Sequence, residues 1–199
     1  MSDHYYSPNP GAKRNMRMIK TTLRGREMSF ATDSGVFSRG GIDYGTRLLI
    51  ETMRIPPDSK VLDVGCGYGP IGITAAVTTP GVHVTMIDIN ERAVELARYN
   101  AAMHGIDNVR ILQSDLFAAV KGEQFDVILT NPPIRAGKRT VHQIFELSFQ
   151  HLRTGGALWI VIQKKQGAPS AFAKLEQIFN NVEEVEKDKG YRIYRASRS

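Results

Sequence analysis

Hydrophobic positions recur along this chain with two alternating periods, and the alternation predicts the architecture. Short apolar runs read as strands: Lys60 to Val64, His83 to Asp88, Val109 to Gln113, Phe125 to Thr130 and Leu158 to Gln163. Between and after them, apolar residues fall at helical spacing over Pro70 to Thr78, Glu91 to His104, Val141 to Leu152 and Ala168 to Phe179. Strands alternating with helices predict an α/β fold built on a doubly wound, mostly parallel sheet. A further helix is expected over Ile42 to Met53, where Leu48, Leu49 and Met53 share a face and Pro56-Pro57 stops the chain. Two more strand candidates, Val182 to Glu186 and Tyr191 to Ala196, are joined only by Lys187 to Gly190. So short a link forbids a parallel crossover and predicts an antiparallel C-terminal hairpin at the sheet edge. Met16 to Leu23 and Glu27 to Thr32, around Arg24-Gly25-Arg26, predict a small N-terminal β-hairpin. The expected division is a basic hairpin extension over residues 1–41 and one domain over 42–199.

In such a sheet the ligand site lies beyond the carboxyl ends of the strands, and the unusual residues fall there. Asp63-Val64-Gly65-Cys66-Gly67-Tyr68-Gly69-Pro70 follows a buried strand, and its alternating glycines allow a sharp turn and close approach of a ligand to the backbone. Gly67 to Gly72 also fits the dinucleotide pattern G-x-G-x-x-G, with Asp88 near the position of its ribose-binding acid. Against a nicotinamide cofactor, the turn begins at Gly65, before that pattern starts, and the Asp63 carboxylate would repel a pyrophosphate. A sulfonium or an ammonium would be attracted. Asp88 and Ile89 end the next strand, and a two-oxygen carboxylate can accept from adjacent ribose hydroxyls. Helix capping by Asp88 or Asn90 explains the same residues. Asp115, with Leu116 and Phe117 beside it, suits an adenine amine and ring, or else caps a short helix.

The fourth strand ends in Asn131-Pro132-Pro133-Ile134. Proline has no N–H to consume the carbonyls, so this strand end offers rigid acceptors to an amine, although a plain turn accounts for it too. An amine conjugated to a ring or carbonyl is a poor nucleophile, because its lone pair is delocalised. The Asn131 oxygen and the Pro132 carbonyl could hold its two N–H groups and aim the lone pair, with no strong base required.

Composition narrows the setting. The 199 residues, 42% of them hydrophobic, suit one core, and the single cysteine, Cys66, excludes an internal disulfide and any multi-cysteine zinc site. No metal cluster is expected. Apolar runs fall well short of the roughly 18–20 residues a membrane span needs, so a cytoplasmic protein is expected. Residues 1–26 carry Lys13, Arg14, Arg17, Lys20, Arg24 and Arg26 against Asp3, and residues 189–199 carry four basic residues and no acid. The stretch between has a net charge of −3 within a total of +6. Basic ends around a near-neutral middle suit RNA, with Arg135, Lys138 and Arg139 adding charge beside the acceptor site. Solvated surface charge is the simpler account.

Glycine loop, Asp88, Asp115 and Asn-Pro-Pro-Ile stand in order, each at the end of a successive strand. Together they resemble the class I S-adenosylmethionine-dependent methyltransferases over roughly residues 42–199, which implies a Rossmann-like methyltransferase sheet. The resemblance implies that Asp63, Gly65, Cys66, Gly67 and Gly69 hold the methionine portion of S-adenosyl-L-methionine. It gives Asp88 and Ile89 the ribose, Asp115 and Leu116 the adenine, and Asn131 to Ile134 the acceptor amine. The Asn-Pro-Pro signature is similar to that of enzymes acting on planar nitrogens. A narrower likeness, through Gly35-Val36-Phe37 and Asp43-Tyr44-Gly45-Thr46, is to bacterial small-subunit ribosomal RNA guanine 2-amino methyltransferases. It implies that Phe37, Asp43 and Thr46 close over the cofactor. Asp43 as a helix cap and Phe37 as core packing fit equally. Ile134 departs from the aromatic common there, and Phe37 or Tyr44 is a candidate to supply the missing ring. The expected function is methyl transfer to a guanine amine in RNA, ribosomal RNA above all. An adenine amine or a protein glutamine stands as the rival acceptor, and an NAD-dependent oxidoreductase or a noncatalytic RNA-binding module as the rival class.

Overall fold

The computed structural model describes residues 16–33 and 41–199. Lys13, Arg14 and Phe37, expected at the site, lie outside the described residues. A hairpin of β1 (Arg17–Leu23) and β2 (Arg26–Thr32) comes first, then α1 (Tyr44–Thr52). The repeat follows as β3 (Lys60–Val64), α2 (Pro70–Thr78), β4 (His83–Asp88), α3 (Glu91–Met103), β5 (Val109–Gln113), β6 (Phe125–Thr130) and α4 (Lys138–His151). It closes with β7 (Leu152–Gln163), α5 (Ala168–Ile178), β8 (Asn181–Asp188) and β9 (Tyr191–Ser197).

Seven strands form one sheet in the order β5-β4-β3-β6-β7-β9-β8. β3 to β7 run parallel, and β9 pairs antiparallel with both β7 and β8. The topology is that of a Rossmann-like methyltransferase sheet with its antiparallel C-terminal hairpin. Because both faces are covered, the central strands are apolar on both sides. Val127, Leu129, Trp159 and Val161 enter one core, packed under α1, α2 and α3, while Ile128, Leu158, Ile160 and Ile162 enter the other with residues of α4 and α5.

Leu23, Met28 and Phe30 of the N-terminal hairpin are buried in the first of these cores. The hairpin is thus built into the domain's packing. Asn100 of α3 secures its outer edge: the Asn100 side chain accepts from the Ala31 N–H at 2.7 Å and donates to the Ala31 carbonyl at 3.0 Å, as a neighbouring strand would. The same amide donates to the Tyr68 carbonyl in the glycine loop at 2.8 Å.

Two elements start three residues or more before the hydrophobic pattern. α4 begins at Lys138 because its first turn is solvent-facing and carries no apolar signal. β7 begins at Leu152, six residues before its apolar run, with a register shift opposite Phe125 and Val127. Gly156 permits that approach, since a Cβ there would stand 2.8 Å from the Asp126 carbonyl oxygen.

Candidate active site

At the carboxyl end of β3, Asp63 is fully buried, and one oxygen accepts from the Gly72 N–H at 2.9 Å. Gly72 lies in the first turn of α2, and a Cβ on it would stand 2.7 Å from Met86 and 2.9 Å from Asp63. Only glycine brings that N–H to the carboxylate. The helix N-terminus, where a phosphate would otherwise be welcomed, is already occupied by the protein's own anion. This argues against a dinucleotide. The second oxygen, Oδ1, is buried and has no hydrogen-bond partner among the described residues. Burial, opposed by the Gly72 N–H and reinforced by the Asp88 charge, pushes the Asp63 carboxyl up to about 7.

The loop between them is pinned from β4. The Gly65 and Cys66 N–H groups both donate to the Ile87 carbonyl, at 2.9 and 3.0 Å, and Gly65, Gly67 and Gly69 all have positive φ. A Cβ on Gly65 would meet nothing within 4 Å, so the space above the turn is open. Cys66 is buried beneath, and burial pushes its thiol far above the ordinary range, which leaves it un-ionised. Asp88 receives the Gly67 N–H at 2.8 Å and the Asn90 N–H at 2.9 Å, one on each oxygen. Asn90, not Asp88, caps α3, accepting from the Ala93 N–H. A carboxylate oxygen can accept from more than one donor, and Ile89 beside Asp88 is half-buried.

After β5, Asp115 is exposed and does not cap the turn that follows. Ser114 does so, accepting from the Ala119 N–H at 3.0 Å and donating to the Leu116 carbonyl at 2.8 Å. Leu116 sits at φ +50°, a left-handed conformation rare for a bulky side chain and costing about 1–2 kcal/mol. Its side chain packs against the second core.

At the end of β6, Thr130 donates to the Val64 carbonyl at 2.8 Å and joins the two strand ends. Asn131 then donates its Nδ2 to the Thr46 hydroxyl at 3.0 Å, and Thr46 donates in turn to Asp43 Oδ2 at 2.7 Å. Asp43 Oδ1 caps α1 through the Thr46 N–H. Asp43 thus caps α1 and also holds the hydroxyl that Asn131 meets. Because the hydroxyl hydrogen is committed to a carboxylate, Thr46 can only accept from Asn131, which orients the amide and leaves Asn131 Oδ1 as its acceptor. Pro133 (φ −76°, ψ 81°) makes an inverse γ-turn, in which the Pro132 carbonyl accepts from the Ile134 N–H at 2.9 Å with one lone pair. The other remains. Ile134 is half-buried and packs against the second core.

The described basic residues expected to meet RNA lie at the surface. Arg17, Arg26, Arg135, Lys138 and Arg139 are exposed. Arg24 is exposed as well, and its guanidinium also donates to the Ile50 and Met53 carbonyls, both at 2.9 Å, closing the C-terminal end of α1. Among the described residues there is no cluster of metal-ligating side chains and no helix long and apolar enough to cross a membrane.

Two participants escaped the sequence reading. Asn100 is a buried polar residue on the apolar face of α3, a signal that was available. Tyr191 carries no local signal. Its ring meets α1 only through the fold, where a Cβ on Gly45 would stand 2.7 Å from it.

A Rossmann-like sheet with an acid-glycine loop, an acid after the next strand and an oriented Asn-Pro-Pro end defines the class I methyltransferase arrangement. The chain belongs to the methyltransferase small domain family, whose model matches residues 27–195. It is 54% identical over 200 residues to the uncharacterized protein YbxB of Bacillus subtilis, covering 100% of both chains. It is 34% identical over 174 residues to ribosomal RNA small subunit methyltransferase C of Cronobacter sakazakii, covering 85% of this chain and 49% of that one. The chain thus spans about half the length of that relative. Among solved structures it superimposes on the T. thermophilus 16S rRNA N2 methyltransferase (RsmC), solved with AdoMet and guanosine, with a TM-score of 0.84 at 23% identity. That match covers 96% of this chain and 52% of the other, and at this identity it establishes the fold.

Proposed function

We propose that this protein uses S-adenosyl-L-methionine to methylate the exocyclic amine of a guanine in RNA, with small-subunit ribosomal RNA as the substrate. The observation that carries the reading is the ordered chain from Asn131 through Thr46 to Asp43, which holds an amide oxygen ready for an N–H donor. The residues suit the cofactor. Asp63 Oδ1 is a buried carboxyl oxygen without a partner among the described residues, Gly65 opens onto free space, and Asp88 sets a two-oxygen acceptor against the glycine loop. When bound, the cofactor supplies an electrophilic methyl on a sulfonium.

The chain's own residues would do the rest. Asn131 Oδ1 and the free lone pair of the Pro132 carbonyl take the two N–H groups of the acceptor and draw its nitrogen toward a pyramidal shape. The lone pair is then directed at the methyl, and alignment rather than a strong base lowers the barrier. The nitrogen, once methylated, gives up its extra proton to water. Exposed Arg135, Lys138 and Arg139 follow directly and suit phosphates on either side of an extruded base. Guanine and ribosomal RNA enter through the relatives, since RsmC is a 16S rRNA N2 methyltransferase solved with guanosine.

The test is transfer of labelled methyl to small-subunit RNA from cells lacking the gene, with the modified position mapped by mass spectrometry. Label on a guanine N2, lost in Asn131→Ala, supports the reading. Label on adenine or on a protein glutamine, or full turnover by Asn131→Ala, overturns it.

A further inference from the structure

The acceptor ring needs a surface to stack on, and Ile134, in the position after Asn-Pro-Pro, packs against the second core. An aromatic surface stands instead at the first turn of α1, the turn that Asn131 joins through Thr46. Asn131 continues the β6 series Val127 and Leu129 on the first-core side of the sheet, and its bond to Thr46 ties it to the first turn of α1. In the same turn, Gly45 lies against the Tyr191 ring: a Cβ there would stand only 2.7 Å from Cε1 and 2.9 Å from Cδ1. Any side chain at position 45 would expel that ring. Tyr191 pairs with Gln163 at the carboxyl end of β7, the strand next to β6, on the same side as Val161 and Ile193 of the first core.

Tyr44 completes the surface. Its ring centroid is 5.6 Å from that of Tyr191 at an interplanar angle of 50°, and both residues are half-buried. The Tyr44 hydroxyl donates to Asp188, and Lys189 Nζ lies 4.7 Å over the Tyr44 ring. Lys189 is held at φ +47° in the turn between β8 and β9. Tyr44 is held by a carboxylate at its hydroxyl and a cation over its face, and Tyr191 by Gly45 and the Tyr44 ring, so the surface needs little ordering when a planar ligand arrives.

We infer that Tyr44 and Tyr191 form the stacking wall for the heteroaromatic ring that carries the acceptor amine, taking the place of an aromatic at Ile134. The inference rests on the methyl-transfer reading above. The wall is sequence-tolerant, because every base has a π face, so it positions the ring while Asn131 and Pro132 address the amine. Lys189, over the Tyr44 face, adds positive charge for a neighbouring phosphate.

The probe is 2-aminopurine riboside, a purine with a 2-amino group whose fluorescence is quenched on stacking, titrated into protein saturated with S-adenosylhomocysteine. Wild type and Tyr191→Phe should quench it saturably, whereas Tyr191→Leu, equally apolar but without a ring, should weaken binding about tenfold. S-adenosylhomocysteine affinity should stay within about twofold in both variants. If Tyr191→Leu melts below the assay temperature, Tyr44→Leu serves for the same comparison. In the transfer assay the Leu variant should raise the KM for RNA while leaving the cofactor KM unchanged. Equal probe binding and an unchanged RNA KM in the Leu variant overturn the wall and leave the methyl-transfer reading standing. Ring-dependent probe binding with no methyl transfer to any RNA by wild type overturns that reading and leaves the wall.

Discussion

At the scale of single residues, the role proposed for Asp63 predicts a cofactor affinity that depends on pH. Its folded-state carboxyl is raised to about 7 from an ordinary 3.8, chiefly by burial. The proton is therefore favoured in the fold. The stability this contributes is complete below the unfolded value and is lost as pH climbs through about 7. A cation seated against Asp63 prefers the ionised form, so its binding must release that proton in the acid range. Calorimetry should find S-adenosylmethionine affinity rising from about pH 5 to a plateau above about 7, with proton uptake by the buffer over that interval. Asp63→Asn should flatten the profile and lower the plateau. Thr46 makes a second residue-scale case. Thr46→Val removes the acceptor that orients Asn131 and should cut kcat roughly 10²-fold, as loss of a preorganised polar contact does elsewhere. Thr46→Ser retains the hydroxyl and should stay within a few fold. The paired variants separate orientation of the amide from packing of the helix.

Between elements, side-chain amides and guanidinium groups do the joining. Asn100→Ala would strand the Ala31 N–H and two buried carbonyls at once, a loss expected to cost about 2–4 kcal/mol and measurable by denaturant melts. Because one of those carbonyls belongs to Tyr68, the variant should also bind cofactor more weakly. Arg24→Ala should lose about 1 kcal/mol through the uncapped end of α1 and leave the salt dependence of RNA binding unchanged. Arg139→Ala should do the reverse, with little effect on melting and a reduction of about one in the slope of log affinity against log salt. These joints mark where reading the sequence stopped. Strand ends, the glycine loop and the Asn-Pro-Pro turn are local, and each is written in consecutive residues. Asn100 against Ala31, Arg24 against α1 and Tyr191 against Gly45 are pairings between distant parts of the chain, and periodicity carries no information on partners. The charge of Arg24 was visible while its two carbonyls were not.

Across the whole molecule, the alternation of strand and helix was enough to predict the sheet, because a parallel strand buried on both faces has to be apolar throughout and a crossover has to intervene. The sequence also pointed to the edge on which the site would form. It did not order the last three strands, since a four-residue link forces β8 and β9 together without saying which of them adjoins β7. The answer, β7-β9-β8, has a consequence for how the molecule is made. The ribosome completes β8 before β9, yet β9 must lie inside it. Until residues 191–197 dock, β7 has an unpaired edge of mostly buried, apolar residues, and Gly45 faces no ring. A sheet whose inner strand docks after its outer one has been made is open to mispairing until that strand is in place. The step that covers that edge also sets Tyr191 against α1, so the proposed stacking wall and protection from aggregation arrive together.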